Sequence, residues 1–323
     1  MTAFRELATF EVVHGKRSWP WVAFTADRVA FASATHIHTR GLDGPGPSFP
    51  LPPDVDLAVF ALSSESVAIA SREVLAVLDG SAAERKRARI DALLGEGAAL
   101  SALAFDRTGK RLWLSAETET ETVIALVDTT SLEPVGVLRS AALPRPSLHE
   151  IHVHPIDDAA LVLAACGEEG TFARVVGFAG DEVSAVPGAL DAGGIAAGFV
   201  GFSADGARVH LAEADELRTH AWPTLHELSS VPLADDFVSS FSGAVLGDDI
   251  FVDGDLADSQ EDAVMQFDRA AIHGIVLPGP APSGMWAGRL GANAIVVIEA
   301  KGDPSRARIL ERMATRRAAP GLS

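Results

Sequence analysis

Hydrophobic and polar positions in this chain recur as one phrase: a short apolar run, a turn of acidic residues or Gly, and a second apolar run. It reads Val22-Ala23-Phe24-Thr25-Ala26-Asp27-Arg28-Val29-Ala30-Phe31 near the start. It returns as Ala104-Phe105-Asp106-Arg107-Thr108-Gly109-Lys110-Arg111-Leu112-Trp113-Leu114 and as Gly201-Phe202-Ser203-Ala204-Asp205-Gly206-Ala207-Arg208-Val209-His210-Leu211. Anchoring each copy at the last large apolar residue of its first run gives Phe24, Leu62, Phe105, Val153, Phe202, Val245 and Leu290, spaced 38 to 49 residues apart. A period of about 45 residues built from strand pairs is the mark of a radial β-architecture, in which each sheet buries its faces only against its neighbours. Seven anchors predict seven blades, with inner strands near 20–25, 57–62, 100–106, 148–154, 196–203, 238–246 and 284–290.

The fourth copy, Ile151-His152-Val153-His154-Pro155-Ile156-Asp157-Asp158-Ala159-Ala160-Leu161-Val162-Leu163, makes the resemblance specific. An apolar strand, a Ser/His-Pro/Ala-Asp-Gly/Asp turn and a strand of small residues is similar to the inner half of WD-repeat and YVTN-type β-propeller blades. The resemblance covers almost the whole chain and implies an all-β, seven-bladed propeller of four-stranded blades over residues 1–311. The Trp-Asp dipeptide of the WD repeat is absent, so no particular WD-repeat family follows. Glu6 to Val13 reads as a strand ahead of the first blade, and the last repeat runs out after three strands near Ile309-Leu310. Letting the N-terminal strand complete the C-terminal blade leaves the ring no open edge. Residues 312–323, with Arg312, Arg316 and Arg317, read as a basic tail. In blade two, Ser81 to Gly95 reads as a short helix with a Ser cap and a Gly stop in place of the outer strand.

Charge narrows the partners. The 323 residues carry a formal net charge of −18, which repels phosphate and speaks against nucleic acid. No apolar run is long enough to cross a membrane as a helix, and Met1 to Leu7 lacks the apolar core of a signal peptide. Cys166 is the single cysteine, so disulfides are excluded from the fold and a cytoplasmic location is expected. The expected state is a monomer or a member of a hetero-complex.

In propellers of the type this chain resembles, the loop between a blade's second and third strands shares a rim with the loop entering the inner strand. Those second loops carry Glu117, Glu119 and Glu121 in blade three, Glu168 and Glu169 in blade four, Glu213, Asp215 and Glu216 in blade five, and Asp253, Asp255, Asp258, Glu261 and Asp262 in blade six. Thirteen of the 44 carboxylates thereby fall in four equivalent loops, enough to steer a basic partner and equally enough to keep an Ala- and Val-rich disk soluble. Trp21, leading into blade one, and Trp286, leading into blade seven, add aromatic anchors of the kind found at binding hot spots, or filler between blades. The expected function is a noncatalytic scaffold whose acidic rim binds a protein or peptide with a basic surface. The alternative is a propeller enzyme, lactonase-like or metal-dependent, with its site at the central channel. His149-x-x-His152-x-His154, His36-x-His38 and Asp253-x-Asp255 each supply too few ligands by local spacing, so no metal is expected, and no cofactor motif is present.

Overall fold

A computed structural model describes residues 4–12, 21–25, 27–52, 59–71, 73–141, 148–166, 170–187, 190–193, 197–256, 262–267, 272–276, 285–299 and 305–313. The chain opens with β1 (Phe4–Val12) and then lays down one antiparallel sheet after another. Blade one is β2 (Trp21–Phe24), β3 (Arg28–Ala32), β4 (His36–Gly41) and β5 (Gly44–Pro50). Blade two is β6 (Val59–Leu62), β7 (Ser66–Ala70), β8 (Val74–Asp79) and β9 (Glu84–Arg89), followed by α1 (Ile90–Leu94). Blade three is β10 (Ala99–Phe105), β11 (Arg111–Glu117), β12 (Glu121–Asp128) and β13 (Pro134–Ala141). Blade four is β14 (Leu148–Val153), β15 (Ala159–Ala165) and β16 (Gly170–Ala179), whose outer edge pairs with both β17 (Glu182–Ala185) and β18 (Leu190–Gly193). Blade five is β19 (Gly198–Phe202), β20 (Arg208–Ala212), β21 (Glu216–Ala221) and β22 (Glu227–Pro232). Blade six is β23 (Phe237–Leu246), β24 (Asp249–Leu256), β25 (Asp262–Phe267) and β26 (Ile272–Val276). Blade seven is β27 (Met285–Leu290), β28 (Ala294–Glu299) and β29 (Ser305–Arg312), and β1 completes it by pairing antiparallel with β29 from Phe4↔Arg312 to Val12↔Ser305.

The protein is a seven-bladed β-propeller closed by its N-terminal strand. Inner strands touch in sequence around the ring, β14 meeting β19 through the stack of His152 on Phe199, and β2 meets both β6 and β27. Middle strands such as Ser66–Ala70 and Ala159–Ala165 are buried nearly throughout, because each is covered by a sheet on both faces. Outer strands face water, and Glu84–Arg89 and Glu227–Pro232 are polar accordingly. Each of the seven interfaces between blades has its own apolar cluster, so the core is divided among small contacts. This division is how a chain of 323 residues remains one unit.

Blade two corrects the sequence reading. The run Glu84–Arg89 is the outer strand, paired with β8, and only Ile90–Leu94 is helical. The ladder fixes the cationic run as an exposed edge, while Ile90, Leu93 and Leu94 are buried in the cluster shared with blade three. Gly95, at φ +106°, supplies the stop.

Candidate functional site: the acidic rim

Antiparallel order puts the turn between a blade's second and third strands at the end where the inner strand begins. At that rim the acidic residues separate into an exposed and a buried set. Glu119 and Asp215 are exposed in their turns. Glu121 is half exposed and its carboxylate accepts a hydrogen bond from Arg139 Nη1 at 3.0 Å. Glu168, Glu169 and Asp258 lie outside the described residues, and for Trp21 in β2 and Trp286 in β27 only the backbone is described.

Glu117, Glu213 and Asp253 turn inward instead. Glu117 closes β11 and accepts a hydrogen bond from Thr122 Oγ1 at 2.6 Å; burial pushes its carboxyl up, against the pull of that bond and of Arg174. Glu213, 4% exposed, is pushed up to about 7 because burial outweighs the Arg218 guanidinium, whose Nε lies 3.1 Å away. Asp253 is wholly buried, which corrects its placement on the rim surface. Burial pushes its carboxyl up to about 7, although Ser242 Oγ donates a hydrogen bond to Oδ1 at 2.5 Å. Its segment reads as loop in the sequence, but β24 runs on to Leu256, and Asp255 is partly buried within it.

Beneath the rim, blades three and four are tied by an array that spacing alone does not announce. Ser115 Oγ lies 2.7 Å from His149 Nδ1, and His149 Nε2 lies 3.2 Å from Glu117 Oε1. Ser115 and His149 are buried, and burial holds the imidazole down to about 4, so it is neutral at neutral pH. The trio has the residue types of a nucleophile, a base and an orienting acid. It lacks access, since Ser115 is 0% exposed.

The remaining His motif spreads across separate contacts. His152 stacks on Phe199 of blade five with ring centroids 3.8 Å apart. His154 donates from Nε2 to Gly206 O at 2.8 Å, accepts from Asp157 N at Nδ1 and stacks on Trp222. Trp222 Nε1 in turn donates to Asp157 Oδ2 at 3.0 Å, which makes His154 a pin between blades four and five at the opposite rim. Also at that rim, Arg111 closes the seam between blades three and four by bridging Asp106 at 3.0 Å and Asp158 at 3.3 Å. Among the described residues no three His, Cys, Asp or Glu side chains converge as a metal centre, and no helix is long and apolar enough to cross a membrane.

Solved structures share this architecture at low identity. The β-propeller domain of Cps50 (Swd1) from Myceliophteria thermophila superposes with a TM-score of 0.63 at 12% identity, over 96% of this chain and 99% of that one. Hsv2p of Kluyveromyces lactis gives 0.59 at 12% identity over 86% and 89%. BBS1N, solved in complex with ARL6DN, gives 0.58 at 11% identity over 97% and 98%. No protein-family model matches the chain, and no curated protein matches it. The likeness is one of fold.

Proposed function

We propose that this propeller is a noncatalytic cytoplasmic scaffold that binds a protein or peptide with a basic surface through the rim of blades three to six. The observation that carries the reading is the exposure of Glu119 and Asp215 in equivalent turns of blades three and five, with Glu121 beside them. Carboxylates held in water on a rigid frame, within a field of net charge −18, raise the encounter rate of a cationic partner. The repeat alignment of the sequence assigns Glu168, Glu169 and Asp258 to the equivalent loops of blades four and six, and Trp21 and Trp286 fall at the starts of the inner strands of blades one and seven. BBS1N, a propeller of similar fold, was solved holding a protein partner, which is consistent with a platform role. The alternative is a propeller enzyme, lactonase-like or metal-dependent, with its site at the central channel; the array of Ser115, His149 and Glu117 lends it no support, because the sealed hydroxyl of Ser115 leaves a substrate no approach.

The test begins with affinity capture on the immobilised full chain to identify the partner, followed by association kinetics. Replacing Glu119, Glu121 and Asp215 by Gln, Gln and Asn should slow association roughly threefold to tenfold at low salt and flatten its salt dependence, with the melting temperature nearly unchanged. Association of this variant at the wild-type rate would assign the acidic rim to solubility instead.

A further inference from the structure

The Asp253-x-Asp255 motif is left unused by the scaffold reading, and its surroundings are unusual. We propose that the rim end of the cleft between blades six and seven is a binding site for one hard divalent cation of the Mg²⁺, Mn²⁺ and Ca²⁺ class, with Asp253 and Asp255 as its carboxylate ligands. Side chains two apart on a strand share a face. Phe251, two residues before Asp253, packs with Ile295, Val297 and Leu310 of blade seven, so this face of β24 looks into that cleft. Ser242 stands in register with Asp253 and engages Oδ1. Oδ2 of Asp253 and Oδ1 of Asp255 are both buried without a hydrogen-bond partner. Leaving a buried carboxylate oxygen unmatched is costly, and a second one beside it raises the cost. A cation removes both penalties at once.

The backbone is shaped around these residues. Pairing of β23 with β24 jumps from Ser239↔Gly254 to Ser242↔Asp253, a bulge that places Phe241 at φ +60°. Two glycines admit it: a Cβ on Gly198 would stand 1.7 Å from Phe241 O, and one on Gly254 would stand 2.1 Å from Val238 O. Bulges of this kind re-aim side chains beside functional sites. The register also sets Asp262 of β25 opposite Asp255. Oxygen donors without sulfur or imidazole select hard ions, and two carboxylates completed by water are a usual complement for Mg²⁺.

The proposal is independent of the basic-partner reading, and its test keeps the two apart. Chelator-stripped full-length protein is titrated with Mn²⁺ by electron paramagnetic resonance, with Ca²⁺ and Mg²⁺ as competitors. We expect one ion per chain with a Kd of about 10⁻³ M or tighter. Asp255→Asn should weaken binding by about tenfold or more and Asp253→Asn should abolish it, while Glu119→Gln/Glu121→Gln/Asp215→Asn should bind as wild type. No stoichiometric ion up to about 10 mM, or binding that both cleft variants leave intact, overturns the site. Should Asp253→Asn fail to fold, the partly exposed Asp255 decides the matter through its own variant.

Discussion

Removing residues 1–12 tests the closure of the ring at the strand that makes it. Val12 is fully buried, and its loss costs about 1.5–3 kcal/mol; the half-buried Phe4 and Phe10 add about 1 kcal/mol each. Three ring contacts go with them: Phe4 on Phe251 at 5.3 Å, Phe10 on Phe31 at 5.8 Å, and Arg40 over Phe10 at 4.5 Å. Each is worth about 0.5–1 kcal/mol. Ordering entropy regained by the freed strand is offset by ladder hydrogen bonds lost from β29, each worth about 1 kcal/mol. The total is about 5–8 kcal/mol, against a stability of roughly 5–15 kcal/mol for folded proteins. With an unfolding entropy of about 2.1 cal/mol/K per residue, the melting temperature should fall roughly 8–12 °C. The bared β29, with Ala307, Ile309 and Leu310 no longer covered, should also promote association through its edge. Differential scanning calorimetry with size-exclusion chromatography reads both effects, and a synthetic peptide of residues 1–15 should restore the lost stability. A truncated protein that stays monodisperse and melts within about 2 °C of the full chain would refute the closure argument.

Two substitutions at the buried end of the rim give further expectations. Glu213 has its carboxyl pushed up to about 7 by burial, from an ordinary value of 4.5, so its contribution is fully present below that ordinary value and is lost as pH rises through 7. Glu213→Gln should therefore flatten the decline in stability between pH 5 and pH 8 and be the more stable protein at pH 8, by on the order of 1–3 kcal/mol in urea titrations. An unchanged pH profile would refute the burial argument. Ser115→Ala strips His149 Nδ1 of its buried partner and should cost about 1–3 kcal/mol in the same assay. A variant as stable as wild type would show that Ser115 has no role in joining blades three and four.

Blade number, blade order and ring closure were legible in the sequence, because each depends on a local pattern that the architecture repeats. The anchor residues Phe24, Leu62, Phe105, Phe202 and Leu290 each end an inner strand, and Glu6 begins to be read as a strand only two residues inside the observed start at Phe4. Where local propensity and pairing compete, the pattern misleads: Glu84–Arg89 has helix-forming residues, yet the free edge of β8 claims it as a strand. The site was decided by tertiary structure. The repeat alignment placed Glu117, Glu213 and Asp253 with their neighbours in acidic loops, but exposure depends on where a strand ends and which blade it faces. Asp253 stands wholly inside β24 while Asp215 stands free in its turn. Ser115 meets His149 across 34 residues only because the second strand of blade three packs against the inner strand of blade four, a contact for which no periodicity in the chain leaves a mark.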